Sequence, residues 1–534
     1  MNADLVILNG RIFTGDPHSA FTDGVASRGD RIVAVGHEAV ELAREAGHVI
    51  DLAGGMAAPG FIDAHVHPGT GGLDLLRCYF PEEGDAESAL QVITSYALAN
   101  PGIPWIIGAG WRQSWFERGC PPKELIDAIV PDRPVLLENS DGHGAWVNSM
   151  ALRIAGIGPD TPDPPSGRIE RTSDGSPQGT LHETAAINLV ARHAPPNTVD
   201  DFIAGLRMGQ QELLSHGLTG WQDANVGADL QQAYLRLADD GELVARVVGA
   251  LWWDPERGLD QIDGLVERRL HSSPRFSPMS VKLILDGVAE NFTASMLESY
   301  LGDDGQPTGN SGLDFIDPSE LREIVTRLDE LGFQCHFHAI GDRAVRSALD
   351  AIEAALQHNG PTDNRHHISH IQVVHPDDIS RFSELSVVAN AQPLWACMDE
   401  YQTELTIPFL GPERSSWQYP FASLVRAGAT MAMGSDWGVS TANVMHELHV
   451  AVTRTGHSGV PLNPEEALGP IEALAAFTSG SAYVNHAEAD SGRVALGMLA
   501  DFAVLDRDPF QDGPFHEARV VTTVIGGEVV YEDE

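Results

Sequence analysis

The chain has 534 residues, 43% of them apolar, more than one small core needs and too apolar for a disordered chain. Asp and Glu number 76 against 33 Lys and Arg, a formal net charge of −43, a field that repels nucleic acid and anionic membranes. The four cysteines, Cys78, Cys120, Cys335 and Cys397, form no CxxC pair, which argues against a disulfide framework or a thiolate zinc knot.

The opening segment MNADLVILNGRIFTGD lacks a basic stretch followed by a long apolar run, so it reads as a strand and not as a signal peptide. No apolar stretch is long enough to span a membrane, and a cytoplasmic location is expected. Short Val/Ile/Leu runs separated by Asn-Gly, Gly-Asp and Gly-Gly turns continue to about residue 57. The C-terminal DFAVLDRD and VVTTVIGGEVVYEDE repeat this style. Residues 1–57 and 485–534 are therefore expected to pair into one small β-sandwich domain.

Between these ends the chain alternates. Strand-like segments occur at 217–224, 245–253, 281–287, 333–342, 366–372, 386–396 and 429–438, with amphipathic segments between them. In RAVRSALDAIEAALQ, residues Val345, Leu349, Ile352 and Leu356 share one helical face. With the strand before His65, eight βα-type units predict an α/β fold, a (β/α)8 TIM barrel over 58–484. The stretch after the first strand, about 70–200, is too long for a βα loop and predicts an inserted subdomain roofing the barrel mouth.

Candidate chemistry begins at PGFIDAHVHP. Residues two apart in a strand point the same way, so His65 and His67 can reach one ion. A lone HxH is often an ordinary strand pair. Its weight comes from Lys282, His336 or His338, His370 and Asp436 at later strand ends, donors that suit Zn²⁺ or a similar metal. Of the two histidines in CHFHAIGD, His338 lies nearer the strand's C-terminal end and is taken as the ligand, with His336 packed behind it. A buried neutral lysine can add CO2 to become a bridging carbamate, whereas a salt-bridged barrel lysine is the plainer reading of Lys282. Asp342, just before an amphipathic helix, reads as a helix cap. His143 and Gln392 are candidate substrate contacts, a loop-bonded turn and strand packing being their structural alternatives. Trp105, Trp111, Trp115 and Trp146 read first as core.

PGFIDAHVHP, VKLILDG, HFHAIGDRA, HHISHIQ, NAQPLW and GSDWGV, in this order, resemble the amidohydrolase superfamily. With DGHGAWVNSMAL in the insertion and the tail TSGSAYVNHAEADSGRVALGMLADFAVLDRDPF, they resemble its family 3 branch, which includes YtcJ-like proteins and N-substituted formamide deformylases. The resemblance covers nearly the whole chain. It implies that His65, His67 and Asp436 hold one divalent ion, of the zinc class by ligand type, that His338 and His370 hold a second where two are present, and that carboxylated Lys282 bridges them. Ser369 stands before His370 where the family often has Glu. The implied activity is hydrolysis of a carbon–nitrogen bond, in a linear N-acyl or N-formyl amide, with Asp436 as the proton acceptor. The alternatives are a cyclic amide, carbamate or ester as substrate, an isomerase or lyase, and a non-catalytic metal-binding barrel. The expected partner is a small molecule, with no nucleic acid and no membrane, and a homodimer by base rate.

Overall fold

Eight parallel strands form one continuous sheet in the middle of the chain. They are β1 (Phe61–Val66), β2 (Leu218–Val226), β3 (Arg246–Trp252), β4 (Phe276–Ile284), β5 (Gln334–Ala339), β6 (His367–His370), β7 (Val388–Ala391) and β8 (Met431–Met433). The structure is a computed structural model, and it describes residues 3–16, 19–81 and 83–533. The order is the (β/α)8 barrel expected from the alternation of segments. No described helix is long and apolar enough to cross a membrane.

Period-two alternation explains how strands buried on both faces carry polar groups. In β5, Cys335, Phe337 and Ala339 join the main apolar core, with Ile324, Leu328, Val345 and Leu349 of the two adjoining helices. His336 and His338 alternate with them and point the other way, into the barrel. Helix Pro318–Glu330 starts where the Asp317 carboxylate accepts Ser319 N at 2.8 Å and Pro318 occupies the first turn. Its Leu321, Ile324, Val325 and Leu328 form the buried stripe. In the next helix, Asp342–Asn359, the expected stripe holds at Val345, Leu349 and Ile352, but Leu356 is 36% exposed. Ala348, Ala351 and Ala355 complete the buried face instead. Gly341 is the N-cap, and Asp342 accepts Leu297 N at 2.8 Å, so Asp342 ties down a mouth loop and does not cap its helix.

The edges of the sheet, β1 and β8, are joined by point bonds at the barrel mouth. Asp436 N donates to His65 O at 2.8 Å and His67 N to Trp437 O at 2.6 Å. These bonds set the register of HxH against GSDWG.

The two ends of the chain share a second, eight-stranded sheet. Phe502–Leu505 runs antiparallel to Met56–Pro59, which joins Leu5–Phe13 and its neighbours to Val520–Ile525 and Glu528–Glu532. Leu5 and Ile7 pack into one apolar cluster, and Val6 and Leu8 into another on the opposite face.

After β1, helix Pro68–Leu75 crosses helix Val199–Ser215 closely. A Cβ on Gly72 would lie 2.0 Å from Gly205 O, so only glycine allows this approach. Between these helices a six-stranded sheet spans Cys78–Tyr79 to Pro177–His182, with Arg168–Arg171 at its edge. Trp111 and Trp146 are fully buried in its own core. The insert docks on loops at the barrel's C-terminal end: Gln113 Nε2 donates to Asn291 Oδ1 at 2.9 Å, and Gln113 N to Tyr401 Oη at 3.0 Å.

Candidate metal centre

The sequence-predicted ligands come together where β1, β4, β5, β6 and β8 end. His65, His67 and Asp436 offer ligand atoms that all lie within 4.8 Å of one another. Asp436 Oδ1 is 3.3 Å from His65 Nε2 and 3.1 Å from His67 Nε2. Its other oxygen lies 3.9 Å from His370 Nδ1. Lys282 Nζ is 3.4 Å from His65 Nε2, and the His338 and His370 ring centroids are 4.4 Å apart.

These groups fit a cation. Asp436 Oδ1 and His370 Nδ1 are buried and make no hydrogen bond. Such orphaned polar atoms are costly unless something fills the space they face. Burial holds His65, His338 and His370 well below the ordinary histidine pKa, which keeps their lone pairs free. Burial also pushes the Lys282 ammonium down to about 7, where the neutral amine that adds CO2 is populated. Burial alone would raise the Asp436 carboxyl, but contact with His67 and the charge of nearby groups holds it below the usual carboxylate range.

A supporting layer orients these ligands. His336 Nε2 lies 2.7 Å from His65 Nδ1 and 2.9 Å from Ser369 Oγ, and Ser369 Oγ is 2.9 Å from His65 Nδ1. His65 Nδ1 is engaged from behind, so its Nε2 faces the site. His336 thus holds His65, and Ser369 is part of the same support. Trp395 stacks on His370 at 5.3 Å.

Gln392, a candidate substrate contact, turns inward. It is fully buried, its Oε1 accepts His370 N at 2.7 Å, and its Nε2 donates to Asn390 Oδ1 at 3.2 Å. Both ends of the amide are engaged inside the protein, and Gln392 holds the backbone of His370. His370 needs that hold, because its φ is +74°, a left-handed conformation that costs a non-glycine residue energy.

His143 arrives from the insert. Its ring centroid is 5.3 Å from that of His338, and its Nδ1 is 2.6 Å from Glu183 Oε2. Burial opposes a charge on His143, but Glu183 holds its pKa up to about 9. Glu183 itself stays below its ordinary value, with Thr293 donating to its Oε1 at 2.5 Å. Glu183 therefore favours the protonated form of His143, whose ring lies beside His338.

Three contributors were not singled out from the sequence. Asp63 accepts Ser435 N at 3.1 Å and His65 N at 2.9 Å. Asp286 accepts Ser295 N, Ile340 N and Gly341 N between 2.8 and 3.0 Å, and so ties the loops after β4 and β5 together. Glu183 pairs with His143. Asp63 lies two residues before His65 in PGFIDAHVHP and Asp286 inside VKLILDG, so an acidic residue within each apolar motif was the available signal.

The profile of a family described as "Amidohydrolase family" matches residues 48–531. The putative amidohydrolase YtcJ of Bacillus subtilis is 30% identical over 494 residues, covering 90% of this chain and 90% of that protein. The N-substituted formamide deformylase of Arthrobacter pascens is 28% identical and covers 99% and 98%. A solved structure of an uncharacterized metal-dependent hydrolase from Pyrococcus furiosus superimposes with a TM-score of 0.72 at 28% identity, covering 95% of this chain and all of that one.

Proposed function

The chain belongs to the amidohydrolase family, and on that premise we propose that it is a metal-dependent hydrolase of a carbon–nitrogen bond in a small linear amide of the N-formyl or N-acyl kind. The observation that carries this reading is the trio of His65, His67 and Asp436, with the buried Asp436 Oδ1 lacking any hydrogen bond between two imidazoles. The linear amide is supported by the similarity to a formamide deformylase across 99% of this chain.

His65, His67 and Asp436 would hold one ion of the zinc class, and His338, His370 and carboxylated Lys282 would be further donors, to a second ion where one is bound. When bound, such an ion acts as a Lewis acid and lowers the pKa of a coordinated water from ~15.7 towards ~7. The Asp436 carboxylate, kept ionised by its contacts, takes the proton of the attacking water and returns it to the leaving nitrogen. The His143 imidazolium, fixed by Glu183, faces the developing oxyanion of the carbonyl and stabilises it. The insert that carries His143 excludes bulk water from the mouth.

The test is amine release from a panel of N-formyl, N-acyl and cyclic amides by metal-reconstituted protein, with chelated protein as the control. Linear amides should be hydrolysed and cyclic ones much more slowly. If no amide turns over in protein shown to carry metal, the reading is wrong.

A further inference from the structure

A second set of metal-ligating side chains lies wholly within the inserted sheet domain. Cys120 sits in the turn before helix Lys123–Asp127, Glu170 on edge strand Arg168–Arg171, and His182 at the end of Pro177–His182. Their sulfur, carboxylate and imidazole atoms all lie within 4.8 Å of one another. His182 Nε2 is 3.7 Å from Cys120 Sγ and 3.2 Å from Glu170 Oε2.

The surrounding hydrogen bonds show which way these atoms face. Asn291 Nδ2 donates to His143 O at 3.0 Å and to Glu183 Oε1 at 3.2 Å, which fixes its amide. Asn291 Oδ1 therefore faces His182 Nδ1, at 3.2 Å, and Nδ1 carries the ring proton. The other ring nitrogen, Nε2, faces a carboxylate oxygen and a sulfur. Cys120 Sγ also lies 3.2 Å from Arg118 O, which can accept the thiol proton. Arg168 holds Glu170 Oε2 from the other side, at 3.3 Å. A sulfur, a carboxylate oxygen and an imidazole nitrogen thus converge on one small space, the donor set of a metal site. His182 is 2% exposed, so the cluster is largely shielded from water.

We propose that Cys120, Glu170 and His182 form a second metal site, for one divalent cation of the zinc class, with a fourth position left to water. Sulfur, nitrogen and oxygen donors suit a borderline-soft ion. On binding, the thiol releases its proton to solvent and the thiolate donates its electron pair to the cation. Thiolate and carboxylate together balance the 2+ charge. Occupancy would clamp the Cys120 turn to two strands of the insert. It would also steady His182, whose neighbour Glu183 holds His143.

Co²⁺ titration of the full-length protein tests this, comparing wild type with Cys120→Ser and Glu170→Gln. Wild type should develop a thiolate-to-cobalt charge-transfer band and bind one more equivalent of metal than Cys120→Ser. Glu170→Gln keeps the thiol and should bind Co²⁺ at this site at least about tenfold more weakly. Circular dichroism checks that both variants remain folded. The ligands proposed at the barrel mouth include no sulfur, so the band reports on this site alone, whatever the outcome with amide substrates. Absence of the band, or equal metal content in wild type and Cys120→Ser, overturns the proposal and leaves a proton on His182 Nε2 as what holds the cluster together.

Discussion

Asp63 accepts the hydroxyl of Ser435 at 2.5 Å, across the seam between the first and last strands of the barrel. The same carboxylate accepts His65 N. One buried side chain thus sets HxH on β1 opposite GSDWG after β8. Burial raises the Asp63 carboxyl to about 7 even though the bonds from Ser435 and His65 oppose the rise. The cluster of His65, His67 and Asp436 depends on this seam.

Gly434 has no room for a side chain there. A Cβ would lie 2.4 Å from His65 N and 2.6 Å from Asp63 Oδ1. Gly434→Ala should destabilise the protein by about 1–3 kcal/mol, as overpacking does, and should lower metal content. Thermal unfolding and elemental analysis read the two effects; unchanged values in both would show that the seam yields freely.

Asp436→Asn should lower kcat by about 10²–10⁴-fold, the usual contribution of a general base. The amide cannot accept the proton, but His65 and His67 remain. Metal content should therefore fall less than turnover. A variant with near-wild-type kcat on a proven substrate would remove Asp436 from the proton path.

Lys282→Ala should lose activity and part of the bound metal. If the native bridge is a carbamate, a short carboxylic acid such as acetate should restore activity in part by occupying the vacated space. Rescue that is absent across a concentration series, together with no carbamate carbon signal after labelling wild type with ¹³C-bicarbonate, would leave Lys282 as an amine.

His143 charges more readily in the folded protein than in the unfolded chain. Its contribution to stability is full below the ordinary histidine pKa of ~6.5 and is lost as pH rises through about 9. Glu183 is depressed, so its contribution is present above its ordinary ~4.3 and is lost as pH falls through its lowered folded value. The kcat/KM profile should have an alkaline limb near pH 9. Glu183→Gln removes the charge that holds His143 up, so the limb should move to lower pH. An unmoved limb would assign it to another group.

Asp329 is 3% exposed and accepts bonds from Asn359, Thr362, Asn364 and His366. Burial raises its carboxyl, but these donors outweigh burial and hold it far below the ordinary value. Asp329→Ala strands four donors and should cost about 3 kcal/mol or more. Denaturant unfolding measures it; a loss under 1 kcal/mol would mean that water replaces the carboxylate.

Sequence alone determined the class of the fold and the kind of site. Alternating strands and amphipathic segments are local patterns, and βα units in series have few ways to bury their apolar faces. HxH, Lys282, His338, His370 and Asp436 were legible because donor residues at strand ends stand out against an apolar background. The hold of Gln392 on the backbone of His370 was not legible, because it depends on the left-handed turn at His370. Nor was the pairing of His143 with Glu183, which are forty residues apart in the chain yet 2.6 Å apart in the fold. Leu356 fitted the helical period yet lies at the edge of the stripe, since burial depends on what the neighbouring helix covers. Cys120, Glu170 and His182 carry no motif, because their spacing is set by sheet pairing in the insert. Periodicity is encoded in neighbouring residues, whereas contacts across the chain exist only once packing has brought distant segments together.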